Sequence, residues 1–202
     1  MTDDARLDHY RRRRDWEQTP EPAPDDELRN LQAGGPLFVI QKHDASTLHY
    51  DFRLEVDGVL KSWAVPKGPS TDPEDKRLAV PTEDHPLSYA TFEGVIPEGQ
   101  YGAGAVVVWD RGTYRNLRAE TEEGAPSMAA CLDEGQVEVW LQGEKLRGGF
   151  ALVRFREGED EAWLLIKMKD AEADARRNPT STEPESVVTQ RTVEEVGEED
   201  GW

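Results

Sequence analysis

Cysteine is almost missing: Cys131 is the single thiol in 202 residues. No intrachain disulfide can form and no Cys-based zinc site can be built, a pattern suited to a reducing, cytoplasmic setting. Long apolar runs are missing too. The longest are strand-sized, far below the roughly 20 residues of a membrane span, so no membrane association is expected. Met1-Thr2-Asp3-Asp4 carries no apolar stretch, and no secretory leader is expected. Basic residues are scarce: 24 Lys and Arg against 42 Asp and Glu leave a formal charge of −18. Residues 1–101, 102–169 and 170–202 are each net acidic, and the last segment holds three basic and ten acidic groups. A broad basic face that wraps a duplex is excluded. A local cationic pocket is not, and a bound divalent metal would add charge that the count omits.

What is present is concentrated in residues 37–65. Leu37-Phe38-Val39-Ile40 reads as a buried strand, followed by a short polar turn and a segment of strict alternation. Tyr50, Phe52, Leu54 and Val56 fall on one face; His49, Asp51, Arg53 and Glu55 fall on the other, with His43 just upstream. Asp57-Gly58 then predicts a two-residue hairpin, because both residues tolerate positive φ. That turn pairs Val56 with Val59, Phe52 with Trp63, Arg53 with Ser62 and Asp51 with Ala64. Directly paired residues share a face. The apolar face is core; the polar row is opposed by small residues, which leaves room for an ion or an anion.

The remaining elements follow from local signals. Residues 2–18 read as a short helix with Leu7 and Tyr10 on one side, and residues 18–25 as a Pro-rich extended connector. Residues 77–81 read as a short strand, Asp110-Arg111-Gly112 as a turn, and 127–132 as a helix with Ser127 as N-cap and Gly135 just past its end. Strands are expected at 105–109, 137–141, 150–155 and 163–168. The four glycines at 94, 99, 102 and 104 lack the Gly-Lys-Ser/Thr ending of a P-loop, and read as tight turns and close backbone approach at a barrel rim. Many short strands with few helices predict a mainly β fold: a closed or nearly closed barrel of short antiparallel strands with an N-terminal arm. The expected division is 1–36 arm and connector, 37–170 barrel, and 171–202 a disordered acidic tail.

His43, His49 and Asp51 are metal-ligand types, and two imidazoles with one carboxylate suit a catalytic transition-metal site. Arg53, Lys67 and Arg77 are candidate anion binders. His85, beside Tyr89 in a proline-bracketed loop, could supply a proton or hold a phosphate oxygen. His9 reads as ordinary.

At these residues the chain resembles the 3′-phosphoesterase domain of bacterial DNA ligase D. The resemblance lies in Phe38 to Ala45, Leu48 to Glu55, Leu60 to Ser70, Glu83 to Leu87, Phe92 to Gly104 and Trp163 to Lys167, with an arm-like Tyr10 to Asp15 and Thr19 to Pro22. It implies a manganese-dependent enzyme of non-homologous end joining. Such an enzyme trims a 3′-terminal ribonucleoside from a DNA primer-template end and then removes the remaining 3′-phosphate. By motif match, His43, His49 and Asp51 would hold Mn2+, and Arg53, His85 and Tyr89 the scissile phosphate. Arg14, Asp15, Glu21, Gln41, Lys67 and Arg77 match further substrate-binding positions, of which Asp15, Glu21 and Gln41 are candidates for sensing a 2′-hydroxyl. The resemblance also implies a monomer, either stand-alone or excised from a larger chain, that works with a repair polymerase and ligase in trans. Two other classes fit parts of the pattern: a non-haem iron oxygenase barrel using His49, Asp51 and His85, and a silent module that binds DNA ends or repair partners.

Overall fold

The computed structural model describes residues 3–24 and 34–201. The arm holds α1 (Asp3–Arg6) and α2 (Asp8–Arg12). The single expected helix breaks at Leu7, whose side chain is buried together with that of Tyr10. Part of the expected connector, residues 25–33, lies outside the described residues.

The strands are β1 (Leu37–Asp44), β2 (Leu48–Val56), β3 (Val59–Val65), β4 (Lys76–Pro81), β5 (His85–Pro86), β6 (Gly94–Ile96), β7 (Gly104–Asn116), β8 (Gln136–Gly143), β9 (Arg147–Arg156) and β10 (Ala162–Lys167). They run in the order β1-β2-β3-β4-β10-β9-β8-β7, and β7 pairs back onto β1. All pairings are antiparallel, so eight strands close a barrel and leave no edge among themselves. Short β5 joins β3, and β6 joins β7.

Each barrel strand sends alternate side chains into one core. Phe38, Phe52, Trp63, Ala79, Trp109, Val139, Phe150 and Leu165 represent the eight. The turn after β2 has Asp57 at φ 48° and Gly58 at φ 83°, the twist that a two-residue hairpin requires. The pairs Val56–Val59, Phe52–Trp63, Arg53–Ser62 and Asp51–Ala64 occur as expected. Gly104 begins β7 where a β-carbon would stand 2.1 Å from the Asp44 carbonyl oxygen, so only glycine admits this approach.

The outer wall of β1, β2, β3 and β7 is not bare. Val39, Leu60, Val106 and Val108 form a second apolar layer beneath Tyr10, Tyr89, Ala90, Phe92 and Ile96. This cover comes from the arm, from the 3-10 helix Leu87–Thr91 and from β6. The polar row of β2 lies on that outer face and is roofed by it.

Beyond β7 come α3 (Leu117–Thr121) and α4 (Met128–Glu134). The α4 caps match expectation: Ser127 accepts from the Ala130 amide, and Gly135 is left-handed at φ 75°. Asp110-Arg111-Gly112 is not a turn. It continues β7 past a register shift, and the buried Asp110 carboxylate accepts the amides of Arg111, Glu144, Lys145 and Leu146. The acidic group thus ties its own strand at Arg111 to the β8–β9 turn.

The acidic C-terminal segment is the larger correction. Residues 171–201 are not a free tail but a strap carrying α5 (Pro179–Thr182) and α6 (Val193–Asp200). Trp109 Nε1 donates to the Glu183 carbonyl at 2.7 Å, and the Val187 amide donates to the Val108 carbonyl at 2.9 Å. Val193 and Val196 are fully buried against Ala105 and Val107. Few apolar residues suffice because the barrel supplies the rest of the interface. No helix of the described residues is long and apolar enough to cross a membrane.

Truncation after Asp170 is therefore expected to lower the unfolding free energy by at least about 3 kcal/mol. Burying each of Val193 and Val196 contributes roughly 1.5–3 kcal/mol. Urea titration of the full-length and truncated chains checks this; equal midpoints would refute the strap.

Candidate active site

The site is built where β1 and β2 pair. His43 is directly opposite His49, and Gln41 is opposite Asp51. All four side chains point to the outer face, so one diagonal step brings Asp51 between the two imidazoles. His43 Nδ1 lies 3.5 Å from Asp51 Oδ2, and His49 Nε2 lies 3.6 Å from Asp51 Oδ1. The potential ligand atoms of the three residues all fall within 4.8 Å of one another.

Backbone carbonyls orient both rings. His43 Nε2 sits 2.8 Å from the Gly102 carbonyl, and His49 Nδ1 sits 2.8 Å from the Thr47 carbonyl. A carbonyl only accepts, so these nitrogens carry the hydrogens and the opposite nitrogens carry lone pairs. Two lone pairs and a carboxylate then converge at distances too long for good hydrogen bonds. A cation at their centre would satisfy all three groups, and the carbonyl contacts are the outer-shell arrangement such ligands need. The donor set fits a divalent transition metal.

Arg53 is the second centre, and it is not left free as its small cross-strand neighbours suggested. It is 2% exposed. Its Nε donates to Gln41 Oε1 at 2.8 Å, Nη1 to Ser62 Oγ at 2.9 Å, and Nη2 to Asp51 Oδ2 at 3.1 Å. Nη1 also lies 3.0 Å from His85 Nδ1. Of five guanidinium N–H groups, one on Nη2 remains for a ligand. Burial alone would raise the Asp51 carboxyl, but the Arg53 guanidinium outweighs burial and holds it below the usual range. Burial, reinforced by Arg53 and Arg14, pushes His85 well below the ordinary imidazole value, so its ring is neutral. Burial, reinforced by Glu21, raises Tyr89 well above the phenol range, so its hydroxyl stays protonated and donates to Glu21 Oε1 at 3.0 Å.

A cavity of about 200 Å3 gathers Arg14, Glu21, His43, His49, Asp51, Arg53, His85 and Tyr89. Gln41 stands behind it, 0% exposed, with its amide donating to the Tyr89 and Phe92 carbonyls. Asp15, Lys67 and Arg77 do not line the cavity. The Asp15 carboxylate accepts from the Glu17 amide and Gln18 Nε2, Arg77 pairs with Asp75 at 2.8 Å, and Lys67 is exposed after β3. Of the three candidates for a 2′-hydroxyl sensor, Glu21 alone reaches the cavity. The group whose ligand-type atoms converge contains His43, not His85, as its second imidazole.

Three lining residues with polar side-chain atoms had no assigned role from sequence: Glu83, Tyr101 and Thr82. Glu83 binds Arg14 Nη1 at 2.6 Å, while Arg14 Nη2 binds Glu21 at 3.0 Å. The arm's guanidinium is thus neutralised between two buried carboxylates. Glu83 opens the Glu83 to Leu87 stretch that carries the family resemblance, the signal that could have marked it. With His85 neutral, Asp51, Glu21 and Glu83 outnumber Arg14 and Arg53 by one charge. Arg14 Nε and Thr82 Oγ1 are buried with no protein partner, which suits a polar occupant.

Residues 41–154 match the family model of the DNA ligase D 3′-phosphoesterase domain. The chain is 50% identical over 190 residues to the multifunctional non-homologous end joining protein LigD of Pseudomonas aeruginosa, covering 93% of this chain and 22% of that protein. It is 46% identical over 165 residues to the multifunctional non-homologous end joining DNA repair protein LigD of Mycobacterium tuberculosis, covering 82% and 20%. Against the multifunctional non-homologous end joining protein LigD of Mycolicibacterium smegmatis the identity is 44% over 165 residues, covering 82% and 21%. The chain spans about a fifth of the length of these relatives.

Removing Arg53 would leave the Asp51 carboxylate buried without its main partner. Arg53→Ala is expected to destabilise the fold by about 3–5 kcal/mol, the usual cost of breaking a buried pair. The sign of the pH effect follows from the depressed Asp51 carboxyl. Its stabilising contribution is complete above the unfolded value of about 3.9 and is lost as pH falls towards the lower folded value. The gap between the urea midpoints of the two proteins should therefore be smaller at pH 3 than at pH 7. A variant as stable as wild type at pH 7 would contradict the assignment.

Proposed function

The chain belongs to the DNA ligase D 3′-phosphoesterase domain family, and from that premise we propose a metal-dependent phosphoesterase that heals DNA 3′ ends in non-homologous end joining. Its substrate is a primer-template with a 3′-terminal ribonucleotide, and its resident metal is Mn2+. The observation that carries the reading is the convergence of two lone-pair nitrogens and the Asp51 carboxylate in one cavity. Repair polymerase and ligase modules would act on the same end, in trans or from the same longer chain.

Two hydrolyses follow from this reading. In the first, water adds to phosphorus, the bond from phosphorus to the 5′ oxygen of the terminal ribonucleoside breaks, and that oxygen takes a proton. A 3′-phosphate remains. In the second, water adds again, the bond from phosphorus to the 3′ oxygen breaks, and inorganic phosphate leaves a 3′-hydroxyl. Held by His43, His49 and Asp51, a divalent cation supplies positive charge for the phosphate oxygens in a lining that is otherwise one charge negative.

The protein's own groups complete the site. The spare Nη2–H of Arg53 reaches a phosphate oxygen in the direction its other bonds dictate. His85 Nδ1 faces both Arg53 Nη1, which can only donate, and the Glu83 carbonyl, which can only accept. The charged donor is the stronger partner, so Nδ1 accepts and Nε2 carries the hydrogen. Nε2–H can then donate a hydrogen bond to a phosphate oxygen. Glu21, lying in the cavity and held by Tyr89 and Arg14, is the acceptor for a 2′-hydroxyl. Exposed Lys67, with Asp15 and Arg77, would contact the strand outside the cavity.

The test is a pair of primer-templates ending in a ribonucleotide or a deoxyribonucleotide, incubated with Mn2+ or with chelator. Wild type should release the ribonucleoside and then phosphate only with Mn2+, and should cleave the deoxy end more slowly. Asp51→Ala should lose bound metal by direct metal analysis and yield neither product. Product formation in chelator, or an Asp51→Ala protein with full metal occupancy, would overturn the proposal.

A further inference from the structure

Tyr101 is unused in the site described so far. Of the large apolar side chains left exposed among the described residues, it is the one that lines the cavity of His43, His49 and Asp51. It is 44% exposed, whereas Tyr89 in the same lining is 2% exposed. Its position is tied to the metal ligands through the backbone, because the next residue, Gly102, gives its carbonyl to His43. Gly102 has φ +75°, a conformation that holds this turn and disfavours a β-carbon. The arm secures the ring from outside. The Arg13 guanidinium lies 4.3 Å from the Tyr101 centroid, and the Asp15 amide donates to Gln100 Oε1 at 3.2 Å.

We propose that Tyr101, backed by Arg13, is a stacking platform for a nucleobase flanking the reacting phosphate. The proposal rests on the nucleic-acid reading above. It also answers a problem that reading leaves open. The chain carries a charge of −18, and its cavity carboxylates outnumber its guanidiniums. A broad basic face, the ordinary source of affinity, is not available to it at that net charge. Stacking on an aromatic face needs no net charge and tolerates every base. An exposed ring with a cation behind it and a phosphate-sized cavity beside it can do that work. A free-standing surface tyrosine would have no reason to be pinned by both the arm and the metal-ligand turn.

The experiment compares two oligonucleotide ends of equal length and charge. One is a normal 3′ end; the other lacks the bases of its two terminal nucleosides. Wild type should bind the normal end more tightly by about 5- to 150-fold, the span expected for one base–aromatic stack, and with a shallow salt dependence. Tyr101→Ala should reduce that ratio to near one, Tyr101→Trp should preserve it, and Phe155→Ala, an exposed aromatic on β9, should leave it unchanged. Mn2+ titration of Tyr101→Ala should match wild type. An unchanged ratio in Tyr101→Ala, equal losses on both ends, or loss of metal binding would overturn the platform. If wild type proved inactive while the ratio still collapsed in Tyr101→Ala, the base subsite would stand and the phosphoesterase reading would fall.

Discussion

The buried guanidinium of Arg53 is the joint on which this structure turns. It projects from β2 and bonds β1 through Gln41, β3 through Ser62, and the cluster of His43, His49 and Asp51 through Asp51. It also meets the roof at His85. Gln41 in turn holds the carbonyls of Tyr89 and Phe92, so the barrel wall and its cover share one hydrogen-bonded network. A lysine could not replace it, because a point charge lacks the planar fork that addresses several partners at once. The arrangement keeps Asp51 ionised in a dry place, which is the state a cation ligand must have.

Placing the site on the outer wall of a barrel, rather than at its mouth, has a structural consequence. The interior can be packed entirely with aromatic and branched side chains, since no ligand has to enter it. The outer face must then be roofed, or its histidines and carboxylates would be hydrated and conformationally loose. Tyr10, Tyr89 and Ile96 supply the roof, and the Arg14 ion pairs to Glu21 and Glu83 fasten the arm across it. The strap of residues 171–201 braces β7, the strand that closes the barrel against β1.

The acidity of the chain is also reconciled by this arrangement. Most carboxylates are spent on surface solvation, but Asp110 receives four backbone amides, and Asp170 accepts the Gly149 amide and pairs with Lys167. Within the cavity the excess of one negative charge makes anion binding conditional on a cation. On the function proposed above, such a site would favour its metal-loaded state and would do without the broad electrostatic attraction by which most nucleic-acid proteins hold their substrate.

What the sequence determined was whatever depends on near neighbours. Alternation along residues 48–56 placed His49, Asp51 and Arg53 on one face, and Asp57-Gly58 set the register of β2 on β3, because pleat and turn geometry act over a few residues. Ser127 and Gly135 bounded α4 for the same reason. The capping box Thr192-x-x-Glu195 with Val193 and Val196 opens α6 in the structure but was not read from the sequence, because low apolar content pointed to disorder and composition cannot show that β7 offers a matching surface. Tertiary structure alone decided the rest. Glu83 meets Arg14 across 69 residues, Gly102 orients His43 across 59, and Gln41 and His85 occupy the Arg53 donors that small neighbours appeared to leave open. These contacts depend on barrel closure and on a roof folded over the outer wall. No local period or turn encodes them, because each partner is chosen by the position of another strand.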